Sequence, residues 1–109
     1  MLSLNEYKEY GGNYPSMKNY FEEQPYEGME QIIDYLNNAG EITFSVAEVP
    51  TDAFTGEFIK QEEYGKSDGE YCWMSTLPYY VKKYNLRLSA AFEKYVHNKK
   101  FGQSMGRRN

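Results

Sequence analysis

Hydrophobic positions follow a helical period in the middle and towards the end of the chain, with one clear strand period between them. Met29, Ile32, Ile33 and Leu36 stand at i, i+3, i+4 and i+7, which predicts a core-facing amphipathic helix from about Gly28 to Asn38. Asn37-Asn38-Ala39-Gly40 is its stop signal. From Glu41 to Val49 the period changes to two. Ile42, Phe44 and Val46 alternate with Thr43, Ser45 and Ala47, the pattern of a strand that ends at Pro50 or continues past it only as an edge. Glu57 to Glu62, built on Phe58 and Ile59, reads as a second strand, and Glu70 to Trp73, with Tyr71 and Trp73 on one face, as a third. Connections this short favour an antiparallel meander, because a parallel pair needs a crossover.

The stretch Ser67–Val96 organises the rest, since it holds the only Trp, the only Cys and two successive helix patterns. Ser75 or Thr76 caps a helix through about Tyr84, with Pro78 in its first turn and Leu77, Tyr80, Val81 and Tyr84 facing in. Asn85 suits a left-handed cap. Ser89 then opens a last helix from about Ala90 to Asn98, with Leu88, Phe92, Tyr95 and Val96 inward. Trp73 is the residue expected at the centre of the core.

The N-terminal patterns are weaker. Ser3-Leu4-Asn5-Glu6 has the form of a capping box, which predicts a short helix from Leu4 to Tyr10 that Gly11-Gly12 stops. A second short helix is expected at about Met17–Glu23, with Ser16 as its cap. Together these elements predict a single α+β domain over residues 1–98. Its small antiparallel sheet of about three strands lies within 41–73, packed with N-terminal helices and a C-terminal helical hairpin. Residues 99–109, with two Gly and no periodicity, are expected to be a frayed basic tail.

Composition changes this picture in two ways. The mean hydropathy of -0.82 would suggest a poor core, but twelve Tyr weigh on that index as polar while carrying large rings, so the core is expected to be aromatic. A single Cys excludes an internal disulfide framework and a multi-Cys zinc site, and fits a reducing compartment. The first residues show no signal-peptide pattern, and no stretch approaches the roughly 18 apolar residues of a membrane span. The expected setting is therefore cytoplasmic, away from membranes.

Charge is distributed unevenly. Residues 1–70 carry 15 Asp and Glu against 4 Lys and Arg, whereas residues 71–109 carry 1 against 8. The simplest consequence is that acidic segments fold over basic helices and the charges intersperse.

Candidate chemistry is sparse. Cys72 and His97 are the only possible thiol–imidazole pair, but Cys72 sits within a strand, where a small buried hydrophobe is the usual role, and no third residue marks an orienter. Glu22-Glu23 and Glu62-Glu63 are carboxylate pairs of the kind acid–base catalysis needs, yet adjacent Glu residues ordinarily solvate a surface. One His, one Cys and no calcium-loop spacing give no metal site, and Gly11-Gly12 follows no strand as a phosphate loop would. No cofactor and no enzymatic activity are expected.

Two contact functions remain. Lys82, Lys83, Arg87, Lys94, Lys99 and Lys100, with Arg107-Arg108 beyond, could track a phosphate backbone from the C-terminal helix pair, although an overall pI near 5.0 argues against it. The favoured expectation is an inhibitor, immunity or antitoxin type of role on a protein partner, a basic one being what acidic neighbours steer toward. The partner would be bound through an acidic Tyr-rich surface of Glu6, Glu9, Tyr10, Tyr14, Glu22, Glu23 and Tyr26. The alternative for those rings is a place in the core of a domain poor in aliphatic residues.

Overall fold

The computed structural model describes the backbone of residues 1–106 and the side chains of residues 1–99. The elements run β1 (Leu2–Ser3), two 3-10 turns (Lys8–Tyr10 and Met17–Tyr20), α1 (Met29–Asn38), β2 (Glu41–Val46), β3 (Glu63–Ser67), β4 (Tyr71–Met74), α2 (Leu77–Tyr84) and α3 (Ala90–Gly106). This is the expected α+β class. The sheet, however, has four strands rather than three, in the order β1-β4-β3-β2.

The meander β2-β3-β4 is antiparallel throughout, and the additional strand β1 lies parallel to β4. Two residues give no periodicity to read, so β1 is invisible in the sequence. Its amides explain why the expected Leu4–Tyr10 helix is reduced to the Lys8–Tyr10 turn. Leu2 N donates to Glu70 O and Leu4 N to Cys72 O, both at 2.8 Å, while the Ser3 hydroxyl accepts from Asn5 N instead of closing a capping box. The second expected N-terminal helix is likewise only the turn Met17–Tyr20, with Ser16 capping it through Lys18 N.

The second strand falls at Glu63–Ser67 rather than Glu57–Glu62. Phe58 and Ile59 belong to a folded loop in which Asp52 N donates to Glu57 O and Ile59 N to Pro50 O. The sequence EYGKS lacks apolar alternation, because the inward position of β3 is a lysine. Lys66 is buried beside Trp73 and donates from Nζ to Leu36 O and Asn37 O, the free carbonyls at the end of α1. Trp73 Nε1 donates to the same Leu36 O at 3.1 Å.

One core holds the molecule. Trp73, Met17, Leu77, Val81, Leu86 and Phe92 have no exposed surface, and Ile32, Leu36 and Val96 close around them. Helix α1 packs on both α2 and α3, and this layer covers one face of the sheet at β3 and β4. Asn85 takes the left-handed conformation (φ 55°) between α2 and α3, as its cap role requires. Helix α3 runs to Gly106, past the expected end at Asn98. Arg107, Arg108 and Asn109, part of the expected frayed tail, lie outside the described residues.

Candidate functional site

The longest exposed run among the described residues takes in the whole of strand β2. All nine residues from Glu41 to Val49 are exposed, among them Ile42 (62%), Phe44 (53%), Val46 (38%) and Val49 (59%). Strand β2 is the outer strand of the sheet, so one side of its backbone ladder pairs with β3 and the other faces solvent.

A bulge sets which way its side chains point. Ile42 lies opposite Lys66 and Phe44 opposite Gly65, so two steps on β2 match one step on β3 and Thr43 is the extra residue. Ile42 therefore shares the helix side with Lys66, whereas Phe44 and Val46 lie on the uncovered side, a split of the single apolar face that strict alternation predicts. The Phe44 ring occupies the space above Gly65, where a Cβ would stand 2.3 Å from its Cε1. At the head of β2 a shallow cleft of about 690 Å3 lies between Tyr35, Gly40, Ile42, Asp68 and Lys99.

Two carboxylates frame this surface. Asp52 is buried and accepts from Tyr79, Tyr84 and Lys83 on α2 and from the amides of Phe54 and Thr55, pinning the 50–59 loop to the helix. Burial pushes its carboxyl up, but these hydrogen bonds outweigh burial and hold it well below the usual carboxylate range. Asp68 does the same for the β3–β4 turn. It accepts from Tyr35 on α1, Tyr95 on α3 and the amides of Glu70 and Tyr71, and its carboxyl is likewise depressed, the donors overcoming desolvation.

The residues expected at an acidic, Tyr-rich surface divide into two groups. Glu6, Tyr14, Glu22 and Glu23 are exposed. Glu9 binds the Ser16 hydroxyl and Met17 N, Tyr10 shares a hydrogen bond with Thr76, and Tyr26 donates to Leu86 O at 2.6 Å. The structure thus uses three of the seven as internal ties. Glu63 is tied as well, through the Ser75 and Thr76 hydroxyls, which separates it from exposed Glu62.

The basic set divides similarly. Lys82, Lys94 and Lys99 are exposed, but Lys83 pairs with Asp52 at 3.2 Å. Arg87 makes a two-pronged pair with Glu93, its guanidinium 4.1 Å over the Tyr26 ring. The side chain of Lys100 lies outside the described residues. Cys72 is half-buried on β4, and His97, exposed on α3, lines a cleft with Glu27, Gln31 and Glu93 that Cys72 does not reach.

Among the described residues no cluster of three His, Cys, Asp or Glu side chains is placed to hold a metal ion, and no helix is long and apolar enough to cross a membrane. The open edge of β2 was missed in the sequence because alternation marks a strand without saying which neighbours it has. No family model matches this chain, and neither does a curated protein or a solved structure.

Proposed function

We propose that this protein acts by contact, binding a partner protein through the open edge of β2 and the exposed apolar side chains beside it. The carrying observation is the run of exposed residues from Glu41 to Val49, with Ile42, Phe44 and Val46 on a strand that has one free edge and Val49 just past its end. Exposed backbone donors and acceptors beside unburied apolar area are the two things a partner can satisfy together. Glu6, Glu22, Glu23 and Tyr14 are exposed as well, and acidic and aromatic side chains at the surface are in keeping with an inhibitor, immunity or antitoxin role.

The test uses the tagged protein and three variants as baits in native host extract, over a salt series. In one, Ile42, Val46 and Val49 are replaced by Ser. In the second, Glu6, Glu22 and Glu23 become Gln, and in the third Lys82, Lys94 and Lys99 become Gln. Loss of a specific captured protein in the first variant supports the reading, and retention of that protein rejects the β2 edge as its site. Nucleic-acid binding is the second reading, carried by the exposed Lys82, Lys94 and Lys99. It predicts a gel shift of duplex DNA lost only in the lysine variant, with the log-log salt slope falling by about 0.9 per phosphate contact removed.

A further inference from the structure

We propose that the occupant of the β2 edge is an extended basic segment of another protein, which adds to the sheet as a fifth strand. This rests on the reading of β2 as the contact site and identifies what it takes. An outer strand offers its free amides and carbonyls to any chain that can lie extended beside it, and the pairing itself is blind to sequence. Charge is what selects.

Along the chain from β2 to the start of β3 the charge has one dominant sign. Glu41, Glu48, Glu57 and Glu62 are all exposed, and Lys60 is the only exposed cation from residue 41 to residue 62. Neither ion pair among the described residues, Lys83–Asp52 or Arg87–Glu93, uses any of these four glutamates. A strand bearing Lys or Arg would place cations beside carboxylates that have no ion-pair partner among the described residues. Lys99 also reaches the cleft at the head of β2, so the basic residues of the segment belong towards Glu48 rather than at that end.

The same charges disfavour a second copy of this chain. Antiparallel self-pairing that uses the whole of residues 41–48 sets Glu41 against Glu48 at both ends, and like charges directly opposite one another destabilise a strand pair. The bulge at Thr43 refines the match. Because Phe44 and Val46 lie on the uncovered face and Ile42 on the other, apolar side chains of the segment gain area beside Phe44 and Val46.

The experiment uses the full chain with four synthetic nine-residue peptides, three alternating Lys with Val, Glu with Val and Thr with Val, and the fourth the Lys/Val peptide N-methylated at every residue. The last keeps the charge but has no backbone donor with which to build a ladder. Affinity and backbone amide exchange are measured for each. The Lys/Val peptide should bind, slow exchange in β2 and lose about tenfold or more in affinity when Glu41, Glu48, Glu57 and Glu62 are changed to Gln. Ile42→Lys should weaken it, whereas Ile42→Glu, which removes the same apolar area, should preserve or tighten it.

Equal binding of the Thr/Val or Glu/Val peptide would overturn the basic partner while leaving the edge as a contact site. Equal binding of the N-methylated peptide would overturn strand addition. A dimer in sedimentation with β2 amides already protected would make the occupant a second copy. If no peptide binds, the basic-strand proposal falls, and the contact reading is then decided by whether the Ile42, Val46 and Val49 variant loses its captured partner.

Discussion

Strands β2 and β4 lie in one sheet with β3 between them, yet they have opposite fates. Strand β4 buries Tyr71 and Trp73 to 8% and 0% exposure, whereas β2, with the longer apolar alternation, leaves Ile42 62% and Phe44 53% exposed. The cause is position. The layer of α1, α2 and α3 covers β4 and the Lys66 position of β3 and stops there, and the bulge then turns Phe44 away from it. A period of two records that a segment is extended; which neighbours cover it is decided by the rest of the chain.

The sharpest way to break this comparison is to truncate one aromatic residue in each strand. Trp73→Ala removes a ring with no exposed surface and a hydrogen bond to Leu36 O, and should cost about 3–5 kcal/mol in urea unfolding. Phe44→Ala should cost under about 1 kcal/mol, because half of the ring is already in water. Similar losses for the two would mean that β2 is covered in solution.

Between α1 and β2 the chain depends on one glycine. Gly40 has φ 77°, and a Cβ there would stand 2.6 Å from Ser67 O in β3. Gly40→Ala should therefore cost about 2 kcal/mol or more. Gly56, with φ 76° and nothing within 4 Å, isolates the backbone contribution, and Gly56→Ala should cost only about 1 kcal/mol. A Gly40→Ala cost no larger than that of Gly56→Ala would show that β2 moves away from β3 freely.

Much of this frame was legible from residues whose partners are local. Met29, Ile32 and Leu36 declare α1 through spacing alone, Asn85 declares the break after α2, and Trp73 is buried as a lone large aromatic residue on a short strand should be. Elements defined by distant partners were not legible. Strand β1 is held by the carbonyls of Glu70, just before β4, and Cys72, within it, and the inward side chain of β3 is a lysine that caps a helix 30 residues earlier. The tyrosines show the same limit. Composition says that the rings are many, but only the fold shows that Tyr35 and Tyr95 converge on Asp68, or Tyr79 and Tyr84 on Asp52. For the candidate site, the residues of β2 were read correctly as a strand, while their open edge depends on where the helices end.

The Asp52 and Asp68 ties give the covered part of the molecule a pH signature that β2 lacks. Both carboxyls are held below their ordinary value, so the stability they supply is present above the unfolded value near 4 and is lost as pH falls through the folded one. Asp52→Asn should remove about 1–2 kcal/mol at neutral pH and flatten the acid limb. At the alkaline end the sign reverses. Burial, and for Tyr84 the bond to Asp52, push Tyr7 and Tyr84 up to about 12, so stability is full below about 10 and declines as pH rises towards 12. Near-ultraviolet circular dichroism across both limbs checks this, and a flat acid limb in the wild type would contradict the clamp geometry.

The smallest expected effect is the one that bears most on function. Ile42→Ser and Val49→Ser remove side chains that are 62% and 59% exposed and that lie outside the core cluster, so urea midpoints should shift by no more than about 0.5 kcal/mol. If these side chains serve a partner, capture of that partner should fall while stability stays level, the reverse of what a core position shows. A destabilisation of about 2 kcal/mol in either variant would instead place β2 within the folding unit, held by contacts its exposure does not reveal. Partner capture and stability would then fall together, and exposure on an outer strand could no longer be taken as the mark of a contact surface.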